Sequence, residues 1–248
     1  MGLVTTEAIV LRSYNLAEAD RIVVCLTRQA GLVRAVARGA RRMKSRFGAS
    51  LEPFSFVNLV FYERENRELV TVSQVELLKS HFDLAAQSEA PDALAYIAEL
   101  VCEFAPPHEA NDKLYRMLKA CVEALANAPN RTSELIRYFE VWLLRLAGLF
   151  PEIDACVECE RRFRQDENVD LDIEGRPRCR SCSSGYGTSL AATTREYVNA
   201  TKRLGPERLI GKSSQPSVEV QAELAELTHR LLVRTLERRP RTIVAVAK

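Results

Sequence analysis

Gly31-Leu-Val-Arg-Ala-Val-Ala-Arg-Gly-Ala-Arg-Arg-Met-Lys-Ser-Arg-Phe47 is the stretch on which the reading of the N-terminal third turns. Its first half, Leu32–Ala37, has the aliphatic and β-branched residues that suit a strand. Its second half has no apolar period. Residues 34–46 hold six cations, Arg34, Arg38, Arg41, Arg42, Lys44 and Arg46, and no carboxylate. A strand that empties into an all-cationic connection concentrates positive charge at one place, and that bears on partners.

Thr6–Tyr14 and Arg21–Thr27 are expected strands before it, and Phe54–Tyr62 and Leu69–Leu78 after it. Alternation is clearest at Phe54, Phe56 and Val60, with Asn58 out of phase, and along residues 69–72. Gly31 marks the turn between the second and third strands, and Glu65-Asn66 that between the fourth and fifth. Five short strands within residues 1–80 predict a small closed barrel of oligonucleotide-binding type. The basic segment is then its long connection between the third and fourth strands. A basic groove tracks phosphates while aromatic faces stack bases, and Phe47 is the nearest aromatic. The six cations and Phe47 are the candidate DNA-binding residues. The competing reading is a solvated loop whose charge only aids solubility; barrel and charge together favour the first. Six phosphate contacts would give a log–log salt slope of about −4 on single strands.

From Pro91 the apolar period becomes helical. Leu94, Ile97, Val101 and Phe104 share one face, and Pro106-Pro107 breaks the helix. Asn111 is the expected N-cap of a second helix through Leu125, and Pro129 ends it. Thr132 or Ser133 is the expected cap of a third, which carries Trp142 and stops at Gly148. These three are expected to form a bundle. Helix resumes near Thr193–Lys202 and Glu219–Glu237, with Gly205–Ser217 read as a loop. The fold class is thus α+β multidomain: barrel 1–80, helical domain 81–150 and 188–248, and an inserted module 151–187.

That module holds Cys156-Val-Glu-Cys159 and Cys179-Arg-Ser-Cys182, with residues 160–178 between them. Two C-x2-C turns close a tetrahedron of soft ligands around one structural zinc ion, and four sulfurs leave no open position for catalysis. Two disulfides or a redox pair are the alternatives. The pairs sit in a polar, loop-rich stretch, whereas a redox C-x2-C needs one pair between strand and helix. Cys25, Cys102 and Cys121 lie singly in apolar stretches and read as core. Glu174-Gly175 marks a turn between two short strands of the spacer.

The composition excludes more than it selects. The 248 residues carry a net charge of +2, yet residues 1–79 hold twelve Lys/Arg against eight Asp/Glu. No apolar run reaches membrane-spanning length, and the first residues lack a signal peptide's pattern, so a cytoplasmic protein is expected. Gly205 to Ser213 imitates a phosphate-binding loop, but five residues separate its glycines instead of four, and Pro206 removes a backbone donor. His81, His108 and His229 are scattered and read as surface or boundary residues. With no nucleophile–base pair in view, no enzymatic activity is expected.

Taken together, these features resemble the RecO family of bacterial recombination mediators. The resemblance rests on Glu7-Ala-Ile-Val-Leu-Arg12, on Gly31 to Arg42 with Ser45-Arg-Phe-Gly48, on Leu51-Glu-Pro-Phe54, and on the cysteine pairs in that order. It implies a non-catalytic role in DNA repair in the cytoplasm, at the nucleoid. Such a protein binds single- and double-stranded DNA and anneals strands coated by single-stranded DNA-binding protein. With RecR it helps load RecA. The barrel would contact RecR and DNA, and the helical domain would hold the acidic tail of the single-strand binding protein. Arg230, Arg234 and Arg238 are candidates for that tail.

Overall fold

A computed structural model of the chain describes residues 2–63, 69–183, 185, 187–212 and 215–242. The chain divides into two compact units, 1–122 and 123–248. Among the described residues, no helix is long and apolar enough to cross a membrane.

The first unit opens with five strands: β1 (Gly2–Leu16), β2 (Asp20–Thr27), β3 (Gly31–Ala37), β4 (Phe56–Glu63) and β5 (Leu69–Lys79). They pair in the order β1-β2-β3-β5-β4, and β1 pairs again with β4, so the sheet closes on itself. Only β3 and β5 run parallel. Ala8, Val10, Val23, Cys25, Val33, Ala35, Val57, Leu59, Phe61, Val70 and Val72 fill the interior, the inward half of a period-two pattern. The Glu65-Asn66 turn lies outside the described residues.

Two details of β4 differ from the expectation. Phe54 adopts a left-handed backbone (φ 61°), which no strand contains, so β4 begins at Phe56. The inward set is Val57, Leu59 and Phe61. The alternation at Phe56, Asn58 and Val60 therefore belongs to the outer face, and Asn58 is in phase with it. Phe56 is nonetheless buried, because the His81 ring meets it edge-on at 4.7 Å and Lys119 lies over it at 5.7 Å. His81 itself is 6 % exposed and is core rather than boundary.

Helix α1 (Ala90–Phe104), with Pro91 in its first turn, packs on β1 and on the 3-10 turn 82–86. Helix α2 (Asp112–Asn127) is capped by Asn111, whose Oδ1 accepts from the Leu114 N–H at 3.0 Å. Its first turns are tied to the sheet: Arg28 Nε donates to Asp112 at 2.8 Å, and Tyr115 Oη to Glu7 at 3.2 Å.

In the second unit α3 (Thr132–Leu146) packs on α4 (Ala192–Arg203), α5 (Pro206–Lys212) and α6 (Val218–Leu236). The bundle is built from these four helices, not from the first three, since α1 packs against the sheet. Neither Thr132 nor Ser133 is the cap of α3. A 3-10 turn at 129–131 runs straight into the helix, so Thr132 is already helical (φ −58°, ψ −46°) and its hydroxyl donates back to Pro129 O. Gly148 ends α3 in the left-handed region (φ 71°). The Gly205–Ser217 loop is corrected in part. Pro206 starts α5, whose Leu209 and Ile210 are buried, so a helix occupies most of the false phosphate loop.

Candidate nucleic-acid interface and metal centre

Arg34 stands on the outer face of β3, exposed, while Val33 and Ala35 point inward. After β3 the chain does not dangle. Gly39 (φ 72°) donates its N–H to Asp20 Oδ1 at 2.7 Å, the Arg41 N–H reaches Ala19 O at 2.9 Å, and the Ser45 N–H bonds back to Arg42 O. The connection is thus pinned to the β1–β2 turn by its own backbone, which the solvated-loop reading does not require. Arg38, Arg41, Arg42, Lys44 and Arg46 are all exposed along it. Arg41 Nη1 is committed to Ala17 O at 2.8 Å. The side chains of Arg38, Arg42 and Lys44 make no hydrogen bond or ion pair among the described residues. Desolvating them against phosphate therefore breaks no existing partnership.

Phe47 is a correction. It is 2 % exposed and belongs to the barrel core, with the Arg46 guanidinium 4.9 Å over its ring. A ring with one face in the core and the other under a cation offers no platform to a base. The aromatic surface lies elsewhere. Strand registers place Tyr14, Ile22, Val36, Thr71, Tyr62 and Leu3 in one row across β1, β2, β3, β5, β4 and β1 again. Every member is at least partly exposed, Tyr14 by 47 % and Tyr62 by 41 %. Beside this row runs a second one, Arg12–Val24–Arg34–Leu69, and Arg12 Nη1 donates to Tyr14 Oη at 3.4 Å. Tyrosine faces flanked by guanidinium groups can stack bases and hold phosphates together. The missed signal was a bulge: β1 slips by one residue between Val10 and Arg12, which turns Tyr14 outward.

The second site is in the other unit. The four sulfurs of Cys156, Cys159, Cys179 and Cys182 lie within 4.8 Å of one another, and Cys159 and Cys179 are 3.8 Å apart. A tetrahedron with metal–sulfur bonds of about 2.3 Å has edges of about 3.8 Å, so the residues fit a zinc-sized ion. Each pair sits on a tight turn. The Cys182 N–H donates to Cys179 O at 2.9 Å, and the Glu160 N–H to Cys156 O at 2.9 Å, with Glu160 left-handed (φ 58°). Burial works against the Cys156 thiolate, but N–H groups of Cys159, Cys179 and Glu158 overcome it and bring its pKa down to about 6. Cys182 is pushed up to about 12 by hydrogen bonds with Cys179 and Cys159, which favour its protonated form. Four crowded thiols divide their protons unequally, and a divalent cation would replace them.

The spacer between the pairs forms β6 (Val169–Leu171) and β7 (Pro177–Arg178) around Gly175 (φ 78°), as expected, and a third strand, β8 (Thr188–Leu190), joins β6. Arg195 of α4, 4 % exposed, fastens this module. Its guanidinium donates to Ile153 O, Arg164 O and Glu167 O at 3.1, 3.0 and 2.7 Å and lies over Phe163. At the end of α6, Arg230 is held by Thr188 and Glu226, and Arg234 is 3.7 Å from Glu174.

A closed five-stranded sheet bearing a pinned cationic connection, and a helical unit with four clustered cysteines, define a class of two-unit proteins with a cationic surface and a candidate metal centre. Comparison with known proteins makes the class specific. Residues 1–81 match the family description Recombination protein O N terminal, and residues 92–242 match Recombination protein O C terminal. DNA repair protein RecO of Anaeromyxobacter sp. (strain K) is 35 % identical over 219 residues, 87 % of this chain and 84 % of that one. The protein of the same name from Anaeromyxobacter sp. (strain Fw109-5) is 34 % identical over 237 residues, 93 % and 92 % of the two chains. That of Bifidobacterium longum (strain DJO10A) is 40 % identical over 161 residues, 64 % of this chain and 66 % of its own. The chain belongs to the Recombination protein O family, and its role lies in DNA repair and recombination.

Proposed function

We propose that this chain is a non-catalytic mediator of homologous recombination, whose closed sheet acts as an oligonucleotide-binding barrel. The carrying observation is the run of exposed cations, Arg38, Arg42 and Lys44 above all, on a connection pinned to the sheet by backbone hydrogen bonds. Arg34 and Arg46 extend the cationic track at its two ends, and Arg41 adds its charge while holding the loop. The binding set keeps these six cations, drops Phe47, and gains Tyr14 as a stacking face.

Annealing follows from electrostatics. Two complementary strands are polyanions that repel, and a protein that neutralises phosphates on both lowers the barrier to encounter without breaking a covalent bond. Nucleotide hydrolysis has no part in it. The finer reading keeps the barrel 1–80 and the module 151–187, and assigns 81–122 to the barrel's unit and 123–150 with 188–248 to the helical one. It has one structural zinc ion at the four cysteines and a cytoplasmic, nucleoid-associated location. Its partners are single- and double-stranded DNA, RecR, the tail of single-stranded DNA-binding protein and, indirectly, RecA. The basic end of α6 is a poorer candidate for that acidic tail than its sequence suggests, because Arg230 and Arg234 already face carboxylates.

The test is annealing of complementary single strands with and without single-stranded DNA-binding protein and RecR. Salt-sensitive acceleration that the triple variant Arg38→Glu, Arg42→Glu, Lys44→Glu loses supports the reading. Acceleration that survives charge reversal contradicts it.

A further inference from the structure

At the far end of the cationic run the wall of the barrel is irregular. Strands β4 and β5 slip register between Val60 and Phe61: Val60 faces Gln74 and Phe61 faces Val72, so Ser73 has no opposite residue. Such a bulge disrupts the ladder and re-aims side chains. Here it borders a cavity of about 280 Å³ lined by Arg46, Phe47, Asn58, Val60, Ser73, Gln74, Val75 and Glu76.

We propose that this cavity receives one unpaired nucleobase of a bound single strand. The inference rests on the nucleic-acid reading above and adds to it a site that takes a base instead of the backbone. Three observations carry it. The lining is divided as a base requires: Val60 and Val75 are apolar, while Asn58, Gln74, Ser73, Glu76 and Arg46 carry donors and acceptors of both kinds. A flat heterocycle with hydrogen-bonding edges and an apolar face matches that division, and amide, carboxylate and guanidinium groups are those that read base edges. The volume lies just below the ~300 Å³ at which sites for drug-sized ligands begin, which suits one ring system.

The third observation is position. Arg46 is both the last cation of the run and a wall of the cavity. A strand whose phosphates follow the run reaches the cavity with its next nucleotide already placed, and the planar Arg46 guanidinium can stack on the incoming base. Tyr62, of the exposed row, shares the outer face of β4 with Val60 and Asn58, so the aromatic row leads to the same place. A base held in the cavity cannot pair, so the site would hinder self-pairing within the strand and would give the base up when the complement arrives.

The experiment uses the full chain and two fluorescently labelled strands of equal length, one of mixed sequence and one of abasic sugar-phosphate. Anisotropy titrations compare the parent with Asn58→Ala/Gln74→Ala and with Gln74→Ala alone. Gln74 is exposed, so the single variant keeps the fold, which its thermal melt checks. The double variant is expected to bind the mixed strand at least about five-fold more weakly, and the single variant to lie in between. Both should bind the abasic strand within about two-fold of the parent and keep its salt slope. Equal losses on both strands, or none on either, overturn the base site while leaving the cationic track intact. Failure of the parent to bind either strand overturns the reading beneath it as well.

Discussion

Gly31 shows how much can rest on one residue. Its φ is +62°, and a Cβ placed there would lie 2.2 Å from Glu109 O. The close approach is built by flanking hydrogen bonds, Leu32 N–H to Pro106 O and His108 N–H to Leu32 O. Gly31→Ala is therefore expected to destabilise the first unit by about 2 kcal/mol or more, left-handed strain adding to a backbone collision; denaturant unfolding measures it. The glycine was legible in the sequence as punctuation, but not the backbone that presses on it from 78 residues further along. Phe47 and Tyr14 show the same limit. Composition places an aromatic beside the cations, yet only the closed sheet decides that Phe47 faces inward and that a bulge at Leu11 turns Tyr14 outward. Arg195 makes the complementary case. Arg195→Met would leave the buried Ile153 carbonyl without its donor and remove a bond from the partly buried carbonyls of Arg164 and Glu167. It should cost about 1–3 kcal/mol in the second unit, read as an earlier thermal transition.

At the scale of elements, the strongest local signals were fulfilled where the chain determines its own neighbours. The five strands, the Asn111 cap, the Gly148 stop and the two cysteine turns all depend on residues a few positions apart. Apart from the α3 cap, which the adjoining 3-10 turn displaced, the main failures came where distant segments decide. Helix α5 is seven residues long, too short for periodicity to reveal, and is held by packing with α3 and α4. The partners of α1 and α3 could not be read from their stripes, which say that a face is apolar but not against what it lies. The four-sulfur module carries its own prediction. Purified chain should hold about one zinc ion after dialysis, Cys159→Ser should lose it, and chelation should lower the melting temperature of the second unit alone. Two transitions in calorimetry, only one of them responsive to chelator, would bear this out. A metal-free chain with an unchanged melt would refute the metal centre.

For the whole molecule, charge location matters more than net charge. A protein at +2 overall would be a weak ligand for a polyanion if its cations were evenly spread, but six of them fall within residues 34–46. Annealing should consequently be indifferent to ATP and suppressed by salt; acceleration that requires nucleotide would overturn that mechanism. The most direct measurement is the salt dependence of single-strand affinity by anisotropy, for the parent and for Arg38→Glu/Arg42→Glu/Lys44→Glu. The parent should show a log–log slope of about −3 to −4, and the variant a slope shallower by about 2 units with affinity reduced at least ten-fold. Identical slopes for the two proteins would contradict the claim that this connection holds the phosphate backbone.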